Sequence, residues 1–159
     1  MEKRVNIQAK GQDAFKAMYG LGKYLAKASV EKALLNLVYF RVSQINGCAF
    51  CLDMHAKDLR EEGESEQRLY VLNAWREAPF YSARERAALA WSEALTKLGS
   101  GAVSDDVYRE ASKEFSEQEL IDLTVAVIAI NSYNRVNLAF PMPEIVGTYH
   151  PGQFAVQSN

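Results

Sequence analysis

Cys48, Cys51 and His55 fall within eight residues of one another in the stretch "SQINGCAFCLDMHAKDLR". They are both cysteines and one of the two histidines of a 159-residue chain. Two thiols and an imidazole this close can grip a metal, carry redox chemistry or fill a core. Asn46-Gly47 is a turn signal, so a new helix is predicted after it, with Cys48 in its first turn and Cys51 one turn on. His55 follows Cys51 by four residues and Cys48 by seven, which sets all three on one helical face. A free thiol, with a pKa near about 8.5, is only a few per cent thiolate at neutral pH. A helix N-terminus carries roughly half a positive charge and unpaired N–H groups, and both favour the anion. The imidazole can accept the thiol proton or, as a cation, stabilise the thiolate. Cys-x-x-Cys at a helix start also lets the sulfurs reach disulfide distance with little backbone movement. The set suits attack on a peroxide by one sulfur and disulfide closure by the other.

Other chemistries fit less well. Zinc needs four ligands, and the fourth would be His150, nearly a hundred residues away beside Pro151. A c-type haem needs histidine directly after the second cysteine, where Leu52 stands. A thioredoxin fold needs strand–helix alternation, and the chain has none. Two cysteines packed as small hydrophobes is the plain structural alternative.

The elements that must position these residues read as helices. Phe15, Met18, Gly22 and Leu25 recur at helical spacing, as do Leu34, Leu35, Val38 and Val42. Ser82 with Glu85 and Ser116 with Glu119 form two capping boxes, and Ser104 is placed to cap a short helix between them. The first box opens a helix with Ala88, Trp91, Leu95 and Leu98 on one face, stopped by Gly99. The second opens a helix from Glu117 to about Leu138 that is apolar on every side through "VAVIAI". Such a helix is buried all round, at the centre of a fold or between subunits, and an oligomer is favoured on that ground. Breaks fall at "REAPFYS" and in a tail from Pro141. The expectation is an all-α fold of about seven helices in one domain, residues 1–159.

Nearly half the residues (48%) are apolar and the net charge is −2, which suits a globular chain and advertises no basic face. Nucleic acid and anionic membrane are therefore not expected as partners. "MEKRVNIQAKGQDAF" shows no apolar signal region, and the run Leu120 to Ile130 is too short to span a bilayer. The expected location is the cytoplasm, where a static disulfide is disfavoured and transient redox chemistry fits.

The blocks "LVYFRVSQINGCAFCLDMHAKDLR", "ERAALAWSEALTKL" and "FSEQELIDLTVAVIAINSYNRVNLAF" resemble the alkylhydroperoxidase D-like group of the carboxymuconolactone decarboxylase superfamily. The resemblance runs from about Leu34 to Phe140. It implies an all-α protomer assembling into homo-trimers or hexamers, and a dithiol peroxidase acting on hydroperoxides. It also implies that Cys51 attacks, that Cys48 resolves the sulfenic acid as a disulfide, and that His55 belongs to a proton relay. No bound cofactor is implied; an external dithiol reductant, of the lipoyl or thioredoxin kind, regenerates the pair.

Two positions depart from the family pattern. Its relay glutamate stands twelve residues before the first cysteine, where this chain has Asn36. An amide hydrogen-bonds but exchanges no proton at neutral pH, so Asn36 can orient a neighbour and cannot be a general base. Glu31 is poorly spaced to replace it; Glu93 is a possible stand-in, or simply a solvated helix residue. Phe50 lies between the cysteines where peroxidase members carry histidine. Weak peroxidase activity, or another substrate, is expected. Asn131 and Asn134 lie in a region the resemblance places near the dithiol, as orienting amides or as a helix-end pair. Two rival functions remain: a redox-sensing oligomer with a reversible disulfide, and a lactone decarboxylase, a branch that generally lacks the dithiol.

Overall fold

Leu34, Leu35, Leu37, Val38, Phe40 and Val42 crowd one short segment, and that segment becomes the central helix of the fold. In a computed structural model, residues 4–99 and 101–154 are described, and no strand occurs among them. The α-helices are α1 (Ile7–Lys10), α2 (Gln12–Leu25), α3 (Lys32–Asn46), α4 (Ala49–Glu61), α5 (Glu66–Tyr70), α6 (Ala83–Thr96), α7 (Asp105–Glu114) and α8 (Glu117–Ala139). Short 3-10 turns cover Leu72–Ala74 and Pro143–Ile145. The all-α expectation holds, with eight α-helices rather than about seven among the described residues; the shortest, α1, is a single turn capped by Asn6.

Local signals place the helix ends. Both capping boxes form in full, Ser82 with Glu85 and Ser116 with Glu119, and Ser104 caps α7. One boundary differs: α6 ends at Thr96, short of Gly99, so Ala88 and Trp91 are buried while Leu98 is exposed. The Thr96 hydroxyl there accepts a 3.0 Å hydrogen bond from Asn131 of α8, which fixes the last turn of α6 against its neighbour.

Helix α3 packs against α4, α6 and α8 and divides the core in two. On one side Leu34, Val38 and Val42 meet Cys48, Cys51, Ala88, Trp91, Leu123 and Val127. On the other, Leu37 and Phe40 meet Leu59, Leu72, Trp75 and Leu89. The apolar α8 is not buried all round within one chain: Ile121 and Ile128, seven residues apart on one stripe, stay 53% and 50% exposed.

Two buried carboxylates lock the helices. Asp122 of α8 accepts hydrogen bonds from Tyr24 Oη (2.6 Å), Ser29 N and Oγ (2.8 Å each) and Gln118 Nε2 (2.9 Å), which ties the end of α2 to α8. Glu93 of α6 accepts from Arg41 Nε (2.8 Å), Trp75 Nε1 (2.9 Å) and Arg76 Nη1 (2.8 Å), joining α3, α6 and the Leu72–Ala74 turn. Burial pushes the Glu93 pKa up, but the bonds from Trp75, Arg76 and Arg41 outweigh it and hold the pKa at about 2. Removing one partner of a buried pair strands the other, at a cost of about 3–5 kcal/mol. Glu93→Ala is expected to lower stability by that order in urea unfolding. Arg76→Ala, at a side chain 60% exposed, should cost under about 1 kcal/mol. Equal effects of the two substitutions would contradict a buried, desolvated Glu93.

Candidate active site

Gly47 makes the site possible. It ends α3 in the left-handed region (φ 70°), its N–H donating to the Ser43 carbonyl at 2.9 Å. A side chain there would cost roughly 1–2 kcal/mol. The turn delivers Cys48 as the N-cap of α4, in extended geometry, rather than within the first turn as the spacing predicts. Cys51 is one turn on, and each cysteine is only 1% exposed.

The two thiols form one unit. The Cys51 thiol donates to Cys48 and draws its pKa down to about 7 from an ordinary 9. Burial opposes this; the Cys51 backbone N–H and the amides of Asn137 and Asn134 reinforce it. That N–H falls short of capping geometry, so the thiol bond dominates. The Cys51 pKa is pushed up, first by the hydrogen bond to Cys48 and then by burial. The pair titrates as one unit, with Cys48 the sulfur that ionises more readily.

His55 behaves differently from a relay in working order. It is buried, and neither Nδ1 nor Nε2 has a hydrogen-bond partner among the described residues. Its ring lies 5.2 Å from that of Tyr39. Burial drives its pKa down to about 3, so the imidazole is neutral near pH 7 and offers the thiolate no positive charge. Asn36, also buried, donates from Nδ2 to Glu62 Oε2 at 2.9 Å, and Glu62 pairs with Lys32 at 2.6 Å. Glu93 is buried, not a solvated residue. Its bonds go to Arg41, Trp75 and Arg76, and none reaches His55 or a sulfur.

Amides from α8 complete the site. Asn134 is fully buried, accepting from Asn46 Nδ2 (2.8 Å) and donating to Ser43 Oγ (3.1 Å), so it fastens α8 to the turn before Cys48. Asn131 accepts from the same Asn46 amide at 3.0 Å. Asn137 donates from Nδ2 to Cys51 Sγ at 3.3 Å. Asn137 extends the spacing of Asn131 and Asn134, three residues apart on one helix, and nothing else in the sequence marks it. Glu62, the partner of Asn36, likewise carries no local signal.

The tail also binds α4. Lys57 Nζ donates to the carbonyls of Gly147 (2.9 Å) and Tyr149 (3.1 Å), Tyr149 Oη donates to Asp58 (2.7 Å), and Phe154 meets Phe50 edge-on. His150 lies exposed on this tail. Among the described residues no group of three or more His, Cys, Asp or Glu is gathered as a metal site. No helix among them is long and apolar enough to cross a membrane.

The profile of the carboxymuconolactone decarboxylase family matches residues 12–94. The chain belongs to that family. The uncharacterized protein YdfG of Bacillus subtilis (strain 168) is 41% identical over 139 residues, 87% of this chain and 95% of its own. A solved structure from Agrobacterium tumefaciens, of unknown function and with a name that proposes an antioxidant defence protein AhpD, is 40% identical. It superposes with a TM-score of 0.82 over 87% of this chain and 95% of that one, so the fold is AhpD-like. The debrominase Bmp8, at 24% identity and a TM-score of 0.71 over 83% of this chain and 71% of its own, shares the fold alone.

The neutral His55 has a consequence for stability. An unfolded histidine takes a proton below about pH 6.5, whereas folded His55 stays neutral down to about 3. The unfolded state binds more protons in that window, so stability falls as pH drops through it, by up to about 1.4 kcal/mol per pH unit. Glu93 and Asp122, held at about 2, lose their contribution only below the ordinary carboxylate range. Urea unfolding at about pH 6.5 and about pH 5 should differ by roughly 2 kcal/mol, and His55→Leu should remove most of that difference. An unchanged slope in the variant would show that His55 is protonated in the fold.

Proposed function

We propose that this protein is a dithiol peroxidase that reduces hydroperoxides to alcohols through Cys48 and Cys51. The observation that carries the proposal is the buried pair of sulfurs titrating as one unit, with the Cys48 pKa near 7. A thiolate is the competent nucleophile, and a lowered Cys48 pKa favours it at neutral pH.

The coupled pair also resolves the weakness seen in the sequence. With His55 neutral and Asn36 unable to exchange protons, the dithiol must handle its own. The proton hops from Cys51 to Cys48 and leaves the anion on Cys51. That sulfur attacks the hydroxyl oxygen of ROOH; the S–O bond forms and the O–O bond breaks. The departing alkoxide takes the Cys48 proton and leaves as ROH. Cys51 is now a sulfenic acid and Cys48 a thiolate. Cys48 then attacks the Cys51 sulfur, the S–S bond forms, and hydroxide leaves and is protonated to water. The dithiol has lost two electrons, which an external dithiol of the lipoyl or thioredoxin kind restores by exchange. Cys51, with the higher pKa, is the better intrinsic nucleophile; Cys48, with the lower, is poised as the resolving anion.

Assembly into a homo-oligomer through α8 belongs to the same proposal. Its support is the half-exposed Ile121 and Ile128 on an otherwise apolar helix.

Turnover of cumene hydroperoxide with reduced lipoamide tests the chemistry. Cys51→Ser is expected to lower kcat/KM by about 100-fold or more. Cys48→Ser should consume one equivalent of peroxide and stop, leaving a dimedone-trappable sulfenic acid at Cys51. Full activity in Cys51→Ser would refute the mechanism. Turnover of a γ-carboxy lactone by the double cysteine variant would favour the decarboxylase instead.

A further inference from the structure

A thiolate in a core needs donors, and the charged ones are absent from this site. Among the described residues no lysine, arginine or histidine hydrogen-bonds either sulfur, and the nearby imidazole is neutral and unpartnered. An amide remains. Asn137 Nδ2 reaches Cys51 Sγ at 3.3 Å, crossing from α8 to a residue 86 positions away on α4. The amide next to it, Asn134, is bonded to Ser43 and Asn46, and its effect on the sulfurs is the smaller one. Those bonds serve Asn137, because they fix the register of α8 against the turn that carries Cys48.

We propose that Asn137 is a catalytic residue: its N–H is the donor that holds negative charge on Cys51 in the attacking thiolate. This rests on the dithiol peroxidase reading and names a group that does for this site what a charged relay would otherwise do. When the proton moves from Cys51 to Cys48, the Cys51 anion keeps two donors, the new Cys48 S–H and the Asn137 amide. An anion held by preorganised neutral donors needs no reorganisation as it reacts. The amide does not titrate, so its contribution is the same at every pH at which the protein is folded.

The test uses the reduced full-length protein and its Cys48→Ser variant, each with Asn137 intact or replaced. Asn137→Ala removes the donor. Asn137→Asp keeps the side-chain shape and replaces the donor by an acceptor, and circular dichroism reports whether each variant is folded. Thiolate absorbance in the ultraviolet is followed against pH with no peroxide present, and dimedone-trapped sulfenic acid at Cys51 is timed with hydrogen peroxide. A hydrogen bond to a charged group supports a slowing of roughly 10- to 100-fold in Asn137→Ala. The thiolate titration should move to higher pH, further in Asn137→Asp than in Asn137→Ala. If both variants fold and neither moves the titration or the trapping rate, the assignment is overturned. The titration needs no turnover, so a protein that reduced no hydroperoxide would sink the peroxidase reading without touching this result.

Discussion

Cys48 and Cys51 lie together in the core, and the neighbouring Cys51 thiol lowers the Cys48 pKa so that negative charge is favoured where neither sulfur meets solvent. An isolated charge there would be neutralised by a pKa shift. It survives because the neighbouring thiol lowers the Cys48 pKa and because amides from another helix point at the pair. The site therefore depends on the distance between two helices as much as on its motif. Helix α4 must start at Cys48, and α8 must present Asn134 and Asn137 at that level.

The rest of the fold can be understood as fixing that distance. Gly47 turns the chain so that Cys48 caps α4, and Asn46 beside it accepts no slack, since its amide bridges Asn131 and Asn134. Asp122 ties α2 to α8 at one end, and Glu93 ties α3 to α6 on the far side of the core. The tail holds α4 through Lys57 and Asp58. These are polar ties among helices that pack mainly through apolar contacts, and they give one register to helices that apolar contact alone would let slide.

Signals confined to a few residues were legible in the sequence. The capping boxes and the Asn46-Gly47 turn each depend on neighbours within a turn or two, and each is found in the structure; Cys51 and His55 share α4, while Cys48 caps it in extended geometry. Pairings across the chain were not. Glu93 depends on Arg41, 52 residues away, and nothing local distinguishes it from a solvated helix glutamate. Asn137 extends a visible spacing, but its use follows only from how α8 lies on α4. The state of His55 was hidden as well: spacing gives its face, while its charge depends on how completely the surrounding helices exclude water and partners. The apolar run of α8 calls for burial within a fold or between subunits, and in the single chain a stripe of it faces out.

The central claim is that Cys48 and Cys51 act as one two-electron unit. It is met most directly by adding limiting hydroperoxide to the fully reduced protein and counting free thiols, with peptide mass spectrometry to locate the product. The account predicts two thiols lost per hydroperoxide and a Cys48–Cys51 disulfide within one chain. One thiol lost per hydroperoxide, with sulfinic acid at a single cysteine or a disulfide between chains, would contradict it.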